Sequence, residues 1–250
     1  MTLSKDILNY LDSVAPIDTK CEWDNCGLLV GDSDTKIRKA LLCLDITNSV
    51  VDEAKALGCE LIISHHPVIF SGLRSVNSKS VVYNLIKNDI AAICMHTNLD
   101  IALNIGVNVC LANAMGLSDI VMHQEDFICI GELRQNMTDT EFALHVKESL
   151  NAKGVRYTNG KNIRVVAMCS GAGSDYIEML SKYQFDAFVT GELKHHHLLF
   201  AQQNNICAVE AGHFCTEDVV INPLKELLTQ QFKDVEFIKS VALCDPVNFA

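Results

Sequence analysis

Two adjacent histidines, His65 and His66, have the clearest potential for chemistry in this chain. They follow the apolar run 61–63 and Ser64, and Pro67 comes directly after them. A run of Leu and Ile predicts a buried strand of a parallel sheet, which a proline would end. Both imidazoles would therefore lie at a strand end, where open α/β folds bind ligands. Because neighbouring side chains of an extended chain point to opposite faces, the pair favours two metal ions, one for each histidine.

Further predicted strand ends also carry side chains that bind metals, namely Asp45, His96 with Asp100, and His213 with Glu217. A single histidine is more often an ordinary core or surface residue. The carboxyl ends of parallel strands, however, lie on one edge of the sheet, so these side chains can come together there and predict a metal site. The spacing of four between His213 and Glu217 places both on one face of a helix that begins there. Imidazole with carboxylate suits Zn, Fe, Mn or Ni, and water bound to such an ion is nucleophilic near neutral pH.

A run of three histidines, 195–197, follows Glu192 in the segment TGELKHHH. Consecutive helical residues point about 100° apart, which argues against joint chelation of one ion by this run. We expect His196 and Glu192 to face the substrate or to support the metal ligands. Both are titratable groups suited to proton transfer, whereas the alternative is a solvated helix start.

Two loop segments allow more than one interpretation. The glycine-rich turn at 171–173 precedes a predicted helix, so it is either an anion site at a helix N-terminus or a plain tight turn. The only tryptophan, Trp23, lies between Asp and Glu residues in the segment 22–32. It is either a core residue in a turn or part of the wall of the site.

Apolar runs and amphipathic stretches alternate along the chain in the order βαβαβα, which predicts an α/β fold with parallel sheets. We expect two similar α/β lobes, residues 1–122 and 123–250, that form one compact unit. Their mainly parallel sheets would be covered by helices, and the metal site would lie in the cleft between the lobes. The N-terminal segment predicts an amphipathic helix with Ser4 as its cap rather than a signal peptide.

Composition excludes several classes of partner. The chain has 250 residues, 20 basic and 31 acidic, with a formal net charge of −11. Because nucleic acid is bound by basic patches, this acidic balance argues against direct binding to nucleic acid. No apolar stretch is long enough for a membrane span. The eleven cysteines contain no CxxC pair, and several lie inside apolar runs. We therefore expect reduced thiols and a cytoplasmic protein.

With these motifs in place, nearly the whole chain resembles the GTP cyclohydrolase I type 2 homologue family, also called the NIF-three-like family. The resemblance rests on five motifs in a specific order: EWDNCGLLVGD at 22–32, ISHHPVIF at 63–70, HTNLD at 96–100, VTGELKHH at 189–196 and AGHFCTE at 211–217. This chain resembles the short members of the family, which lack the domain that longer members insert between the halves.

The resemblance implies two divalent metal ions in each subunit. Carried over position by position, the ligands are His65, His66, Asp100, His213 and Glu217, with Glu217 as the bridge. It also implies a ring-shaped homohexamer, and a role for His96 close to the ions.

The activity that the resemblance implies is hydrolytic opening of the guanine ring of GTP, with a nucleotide as the small-molecule substrate. The groups assigned to the catalytic chemistry are Glu192, His196 and His96. Two alternatives stay open at this point. One is a non-catalytic metal-binding, scaffold or regulatory hexamer, and the other is a two-metal phosphoesterase.

Overall fold

The computed structural model describes residues 1–250, apart from the side chains of residues 180 and 181. Its strands are β1 (Gly27–Val30), β2 (Lys39–Cys43), β3 (Leu61–Ser64), β4 (Ala91–Cys94), β5 (Ser118–His123), β6 (Ile128–Met137), β7 (Arg156–Tyr157), β8 (Ile163–Cys169), β9 (Ala187–Thr190), β10 (Cys207–Glu210) and β11 (Glu236–Lys239). Its α-helices are α1 (Ser4–Val14), α2 (Asn48–Leu57), α3 (Val81–Lys87), α4 (Thr97–Asp100), α5 (Val107–Ala114), α6 (Asp139–Ser149), α7 (His195–Gln203), α8 (His213–Glu217) and α9 (Ile221–Gln231). Short 3₁₀ segments cover Ile17–Thr19, Gln124–Asp126, Gly173–Lys182 and Asp218–Val220.

The first structural unit consists of Met1–Leu99 and Ile221–Cys244. Its five-stranded sheet has the order β1-β4-β3-β2-β11, in which β1 is antiparallel to β4 and the other neighbours are parallel. Ser64 pairs with Cys43 on one side and with Cys94 on the other, so three strands end at the same level. The residues that follow these strands therefore lie on one edge of the sheet.

Helix α2 shows how the sequence of this unit determines its local structure. The Thr47 hydroxyl caps its N-terminus by accepting a hydrogen bond from the Val50 amide, and Gly58 ends it in a left-handed conformation with φ of 71°. Its buried face includes Val50 and Ala54, which belong to the same core cluster as Ile62 of β3. This burial of apolar surface holds β3 in place and so fixes where the strand ends.

The second unit consists of Asp100–Val220 and Asp245–Ala250. Its six-stranded sheet has the order β5-β6-β8-β9-β10-β7. Strands β8, β9 and β10 are parallel, and Thr190 pairs with both Cys169 and Glu210, so these strands also end level. The glycine-rich turn, Glu192 and His213 all follow these strand ends and are thereby placed on one edge.

The structure differs from the expected architecture in two respects. The expectation of a mainly parallel sheet describes the first unit, but the second sheet is mixed, because β5, β6 and β7 pair in antiparallel fashion. The chain also divides at other points than residues 122 and 123. Because β11 pairs in parallel with β2, the segment 221–244 belongs to the first unit.

The expected cap of the N-terminal helix was wrong. Leu3 is the N-cap residue of α1, and its amide donates to Asp6. Ser4 is buried, and its hydroxyl donates to the carbonyl of Asp32 at 2.6 Å instead of capping the helix. Within the described part of the chain, the helices lack the length and apolar character that crossing a bilayer requires.

Candidate metal centre

Three histidines of the first unit gather beyond the ends of β3 and β4. The ring centroids are 5.0 Å apart for His65 and His66, 5.1 Å for His65 and His96, and 5.4 Å for His66 and His96. One ring nitrogen from each lies within 4.8 Å of the others. The two rings lie side by side rather than on opposite faces, because β3 ends at Ser64 and the chain bends at both residues. The assignment of one ion to each histidine stays a prediction.

The Nδ1 atoms of His65 and His66 both contact oxygen acceptors. His65 Nδ1 donates to the carbonyl of Met95 at 3.0 Å, and His66 Nδ1 lies 2.7 Å from Oδ1 of Asp45. A neutral imidazole that is protonated on Nδ1 carries its lone pair on Nε2. Metal-binding histidines show this arrangement, in which the second ring nitrogen donates to a carbonyl or carboxylate. Asp45 therefore orients a potential ligand.

His96 is held in the same way by Asp24, a buried residue that the sequence did not single out. Oδ1 of Asp24 lies 2.8 Å from His96 Nδ1. Oδ2 of Asp24 accepts one hydrogen bond from the Thr97 amide at 3.1 Å and another from the Thr97 hydroxyl at 2.5 Å. Burial acts to raise the pKa of Asp24, but the hydrogen bonds from His96 and Thr97 outweigh it and hold the pKa well below its usual range. Asp24 therefore stays ionised. The sequence signal for it was its place in the motif EWDNCGLLVGD, directly after Trp23.

In the second unit, His213 lies between two carboxylates. Its Nδ1 is 2.7 Å from Oε1 of Glu192, and its Nε2 is 3.0 Å from Oε2 of Glu217. Glu217 is buried, and it lies one helical turn after His213, as the spacing predicts. When Nδ1 carries the proton, Nε2 and the Glu217 oxygen are two electron-pair donors side by side. A shared cation would stabilise this arrangement.

Glycines allow the chain to approach these two residues closely. A Cβ on Gly171, which has φ of 57°, would lie 2.0 Å from Oε1 of Glu217 and 3.2 Å from Nε2 of His213. A Cβ on Gly191 would lie 2.8 Å from the His213 Cα. The Gly171 amide donates to the Thr216 hydroxyl at 3.1 Å, which fixes the turn against α8. The turn thus leaves space beside the carboxylate that any side chain would fill.

Asp100 lies in the same unit at the end of α4. Burial, and then the negative charges of Asp100 and Glu217, raise the pKa of the fully buried Cys169 thiol well above its ordinary value. Both carboxylates therefore lie close to Cys169. Glu217 is buried and Asp100 is half-buried, and carboxylates removed from water in one region repel each other unless they are paired or bind a metal ion.

His196 belongs to a different group of side chains. Its ring centroid is 4.0 Å from that of His197, and both offer a nitrogen within 4.8 Å of a Glu178 oxygen. The rings of His196 and His197 in the first turn of α7 therefore lie closer together than the angle of about 100° between consecutive helical residues suggests. His197 is buried, which lowers its pKa, as does the neighbouring His196.

A cavity of about 300 Å³ borders His213 and Glu192 in the second unit. Phe249 and Val247 form part of its wall, and Lys153 donates to the Val247 carbonyl at 2.7 Å. This volume is at the lower limit of the range found for small-molecule sites. The cavity therefore has room for part of a small substrate beside His213.

The family model described as Duf34/NIF3 (NGG1p interacting factor 3) matches residues 2–246. The chain belongs to the DUF34/NIF3 family. A curated relative from Clostridium perfringens, named GTP cyclohydrolase 1 type 2 homolog, is 34% identical over 258 aligned residues, which cover 98% of each chain. The same name is given to a relative from Staphylococcus aureus strain MSSA476, at 27% identity over 363 aligned positions. Because this chain has only 250 residues, that relative carries residues that the present chain lacks.

Solved structures of DUF34/NIF3 relatives have the same fold. The crystal structure of Staphylococcus aureus protein SA1388 superimposes with a TM-score of 0.92 at 30% identity, over 100% of this chain and 99% of that one. The resemblance that the five motifs indicated is thus confirmed by independent similarity in sequence and fold.

The expected site residues of this DUF34/NIF3 protein are distributed over both units. The first contains His65, His66 and His96 as one group. The second contains Asp100, His213 and Glu217, with Glu192 in contact with His213. His196 lies in the group with His197 and Glu178, so its role in catalysis stays a prediction.

Proposed function

We propose that this DUF34/NIF3 protein binds two divalent metal ions and uses them to hydrolyse the guanine ring of GTP. The name of the Clostridium perfringens relative suggests this reaction. The observation that carries the proposal is a hydrogen-bonding pattern at Nδ1 that four histidines have in common. Each has its Nδ1 atom within 3.0 Å of an oxygen acceptor, which leaves Nε2 as the ligand position: His65, His66, His96 and His213.

The proposed ligands are His65 for one ion and His66 for the other, with Asp100 and His213 as further ligands and Glu217 as the bridge. The donor set fits such ions, because Glu217 is buried beside His213 and the turn at Gly171 leaves space there. Mixed imidazole and carboxylate donors suit Zn, Fe, Mn or Ni. Two such ions would supply Lewis acidity and a nucleophile derived from water at neutral pH.

Polar side chains that contact the proposed ligands would position them, and some would carry protons. Glu192 holds the proton on Nδ1 of His213, and Asp45 and Asp24 do so for His66 and His96. Each carboxylate thereby fixes the ring orientation and makes the other ring nitrogen a stronger electron-pair donor to a metal ion. We assign proton transfer during the reaction to Glu192, His96 and His196, whose types suit general acid–base work.

The direct test combines metal content with turnover. Purified protein, loaded separately with Zn²⁺, Fe²⁺, Mn²⁺ or Ni²⁺, is analysed by elemental mass spectrometry and incubated with GTP, while the loss of guanine absorbance is followed. The wild type should bind two ions and consume GTP. His65→Ala should lose metal and turnover, whereas the exposed His195→Ala, a control from the histidine run, should retain both.

Two results would refute the proposed reaction. One is a metal-loaded wild type that leaves GTP intact, and the other is a His65→Ala variant with the turnover of the wild type. A panel of phosphoesters assayed beside GTP separates ring opening from phosphoester cleavage by the same ions.

The proposal includes a homohexamer in the cytoplasm, as the resemblance implies. The cytoplasmic location is supported by the cysteines, which in the part of the chain that the structure describes are thiols rather than disulfides, as is usual in a reducing compartment. Sedimentation velocity of the purified protein tests the assembly, since a hexamer of 27.6 kDa chains sediments far from a monomer or dimer.

A further inference from the structure

Two large aromatic side chains of the first unit, Trp23 and Phe70, are exposed side by side. The exposed fraction is 60% for Trp23 and 55% for Phe70. Their ring centroids are 5.7 Å apart, with an angle of 42° between the ring planes. Single exposed apolar residues are ordinary on a protein surface, but adjoining ones form a patch that indicates a binding site.

The pair lies directly beside the histidine group. The centroid of the His96 ring is 6.1 Å from that of Trp23 and 6.4 Å from that of Phe70, and both rings meet it at 72°. His96 is in turn 5.1 Å from His65 and 5.4 Å from His66. The aromatic patch is therefore continuous with the donor set proposed to bind metal.

The local hydrogen bonds hold both rings in position. The side chain of Asn25 donates to the Ile69 carbonyl at 2.6 Å, which joins the segment of Trp23 to that of Phe70. Asp24, the neighbour of Trp23, is buried and bonded to His96. A fixed pair of rings loses little conformational freedom when a ligand stacks on it, so it is well suited to binding.

We infer that Trp23 and Phe70 bind a planar heteroaromatic ring of the size of a nucleobase beside His96. The inference rests on the proposed function and deepens it, because it assigns the residues that would hold the base of the substrate. Every nucleobase has a π-face, and stacking on an aromatic side chain binds that face without a need for charge. An acidic protein with a net charge of −11 gains from recognising the base rather than relying on phosphate attraction.

The first experiment uses Trp23 as its own reporter, since it is the only tryptophan of the chain. The full-length protein, loaded with Zn²⁺, is titrated with guanosine, which has the base but no phosphate, and with tripolyphosphate, which has no base. Guanosine should change the tryptophan emission in a saturable way, and tripolyphosphate should not. Absence of any saturable change with guanosine would overturn the inference.

The second experiment measures guanosine affinity by calorimetry in variants. Trp23→Ala and Phe70→Leu should each weaken binding by about 5- to 150-fold, the loss expected for one stacked base. Trp23→Phe keeps an aromatic face and should recover most of the affinity, which separates stacking from a fold defect. Phe232→Leu is the matched control, because that ring packs on Tyr10 at 5.6 Å within the same unit.

Further results of these binding experiments would also decide for or against the stacking of a base on Trp23 and Phe70. Wild-type affinity in both Trp23→Ala and Phe70→Leu overturns the inference, even if GTP is hydrolysed. Loss of affinity in Phe249→Leu alone would place the base in the cavity of the second unit and overturn it equally. A change in sedimentation of Trp23→Ala with unchanged guanosine affinity would show that the patch contacts another subunit. If GTP is not hydrolysed but guanosine binding still depends on both rings, the proposed reaction fails and the inference stands.

Discussion

His213 Nε2 lies 3.0 Å from Oε2 of Glu217, a residue one helical turn further along the chain and almost entirely buried. The opposite nitrogen of the same ring lies 2.7 Å from Glu192. The imidazole thus has a carboxylate at each end, one exposed and one buried. In the proposed metal site, Glu192 would orient the His213 ring, and Glu217 would share a cation with it.

Replacing the orienting carboxylate should weaken metal binding without unfolding the protein. Glu192→Gln keeps the shape of the side chain but removes the charge that holds the proton on His213 Nδ1. We expect metal affinity to fall by about 10- to 100-fold, the usual effect of losing such a partner. Competition with a chromophoric chelator measures this, with the exposed Glu226→Gln as the control. Equal affinity in both variants would contradict the role assigned to Glu192.

A methyl group at Gly171 should abolish metal binding. In Gly171→Ala the new Cβ would lie 2.0 Å from the Glu217 oxygen, so the carboxylate must move. Gly116→Ala is a matched control, because Gly116 also has a positive φ, of 67°, but its Cβ would have nothing within 4 Å. Both variants should lose about 1–2 kcal/mol from the left-handed backbone, as urea denaturation would show. Only Gly171→Ala should lose metal in elemental analysis, and retention of both ions would refute the steric argument.

Glu60 should contribute to stability in a way that depends on pH. Burial acts to raise its pKa, but hydrogen bonds from the Arg38 and Lys39 amides and the Arg38 side chain lower it below the ordinary 4.5. Because the folded-state pKa is lowered, the unfolded chain binds more protons, and the stabilisation is present above about pH 4.5. It is lost as the pH falls through the folded-state value.

The variant Glu60→Gln tests this linkage. At neutral pH it should reduce the free energy of unfolding by about 1 kcal/mol, since the Glu60 side chain is only 20% exposed and its hydrogen bonds involve charge. The difference from the wild type should shrink as the pH falls below 4.5. Urea denaturation at several pH values measures it, and a difference that is constant or grows toward acid pH would contradict the prediction.

The thiols should react with alkylating reagents in the order of their burial. Cys244 is exposed and should react first, and the half-buried Cys21, Cys26 and Cys215 should follow. The buried cysteines should react only after denaturation: Cys43, Cys59, Cys94, Cys110, Cys129, Cys169 and Cys207. Burial raises the pKa of Cys59 and Cys110 to about 11, and of Cys129 and Cys207 to about 12, so little thiolate forms.

Mass spectrometry after a short exposure of the native protein to iodoacetamide near pH 8 would establish this order. A parallel sample in denaturant serves as the control, since all the thiols should then react alike. Native labelling of Cys129 or Cys207 at the rate of Cys244 would contradict the burial that the structure assigns to them.

Local sequence predicted many of the elements because local interactions determine them. Strand β3 occupies the predicted run that ends at Ser64, and α8 begins at His213 with Glu217 one turn further on, as the spacing of four indicated. These features depend on apolar periodicity and on side chains within one turn, which the sequence displays directly. The capping of α1 was mispredicted because Ser4 bonds to Asp32, a contact that local sequence does not reveal.

The sequence by itself determined the residue types of the candidate site, their positions after strand ends, and the membership of the family that these motifs indicate. Only the tertiary structure decided how those residues are held. It showed Asp24 and Asp45 holding histidine Nδ1 atoms, Gly171 beside Glu217, and an aromatic pair beside His96. The physical reason is that each of these contacts joins residues 21 to 73 positions apart in the chain. Strand pairing and core packing set such distances, whereas the period of a helix or strand determines only the neighbours within a few residues.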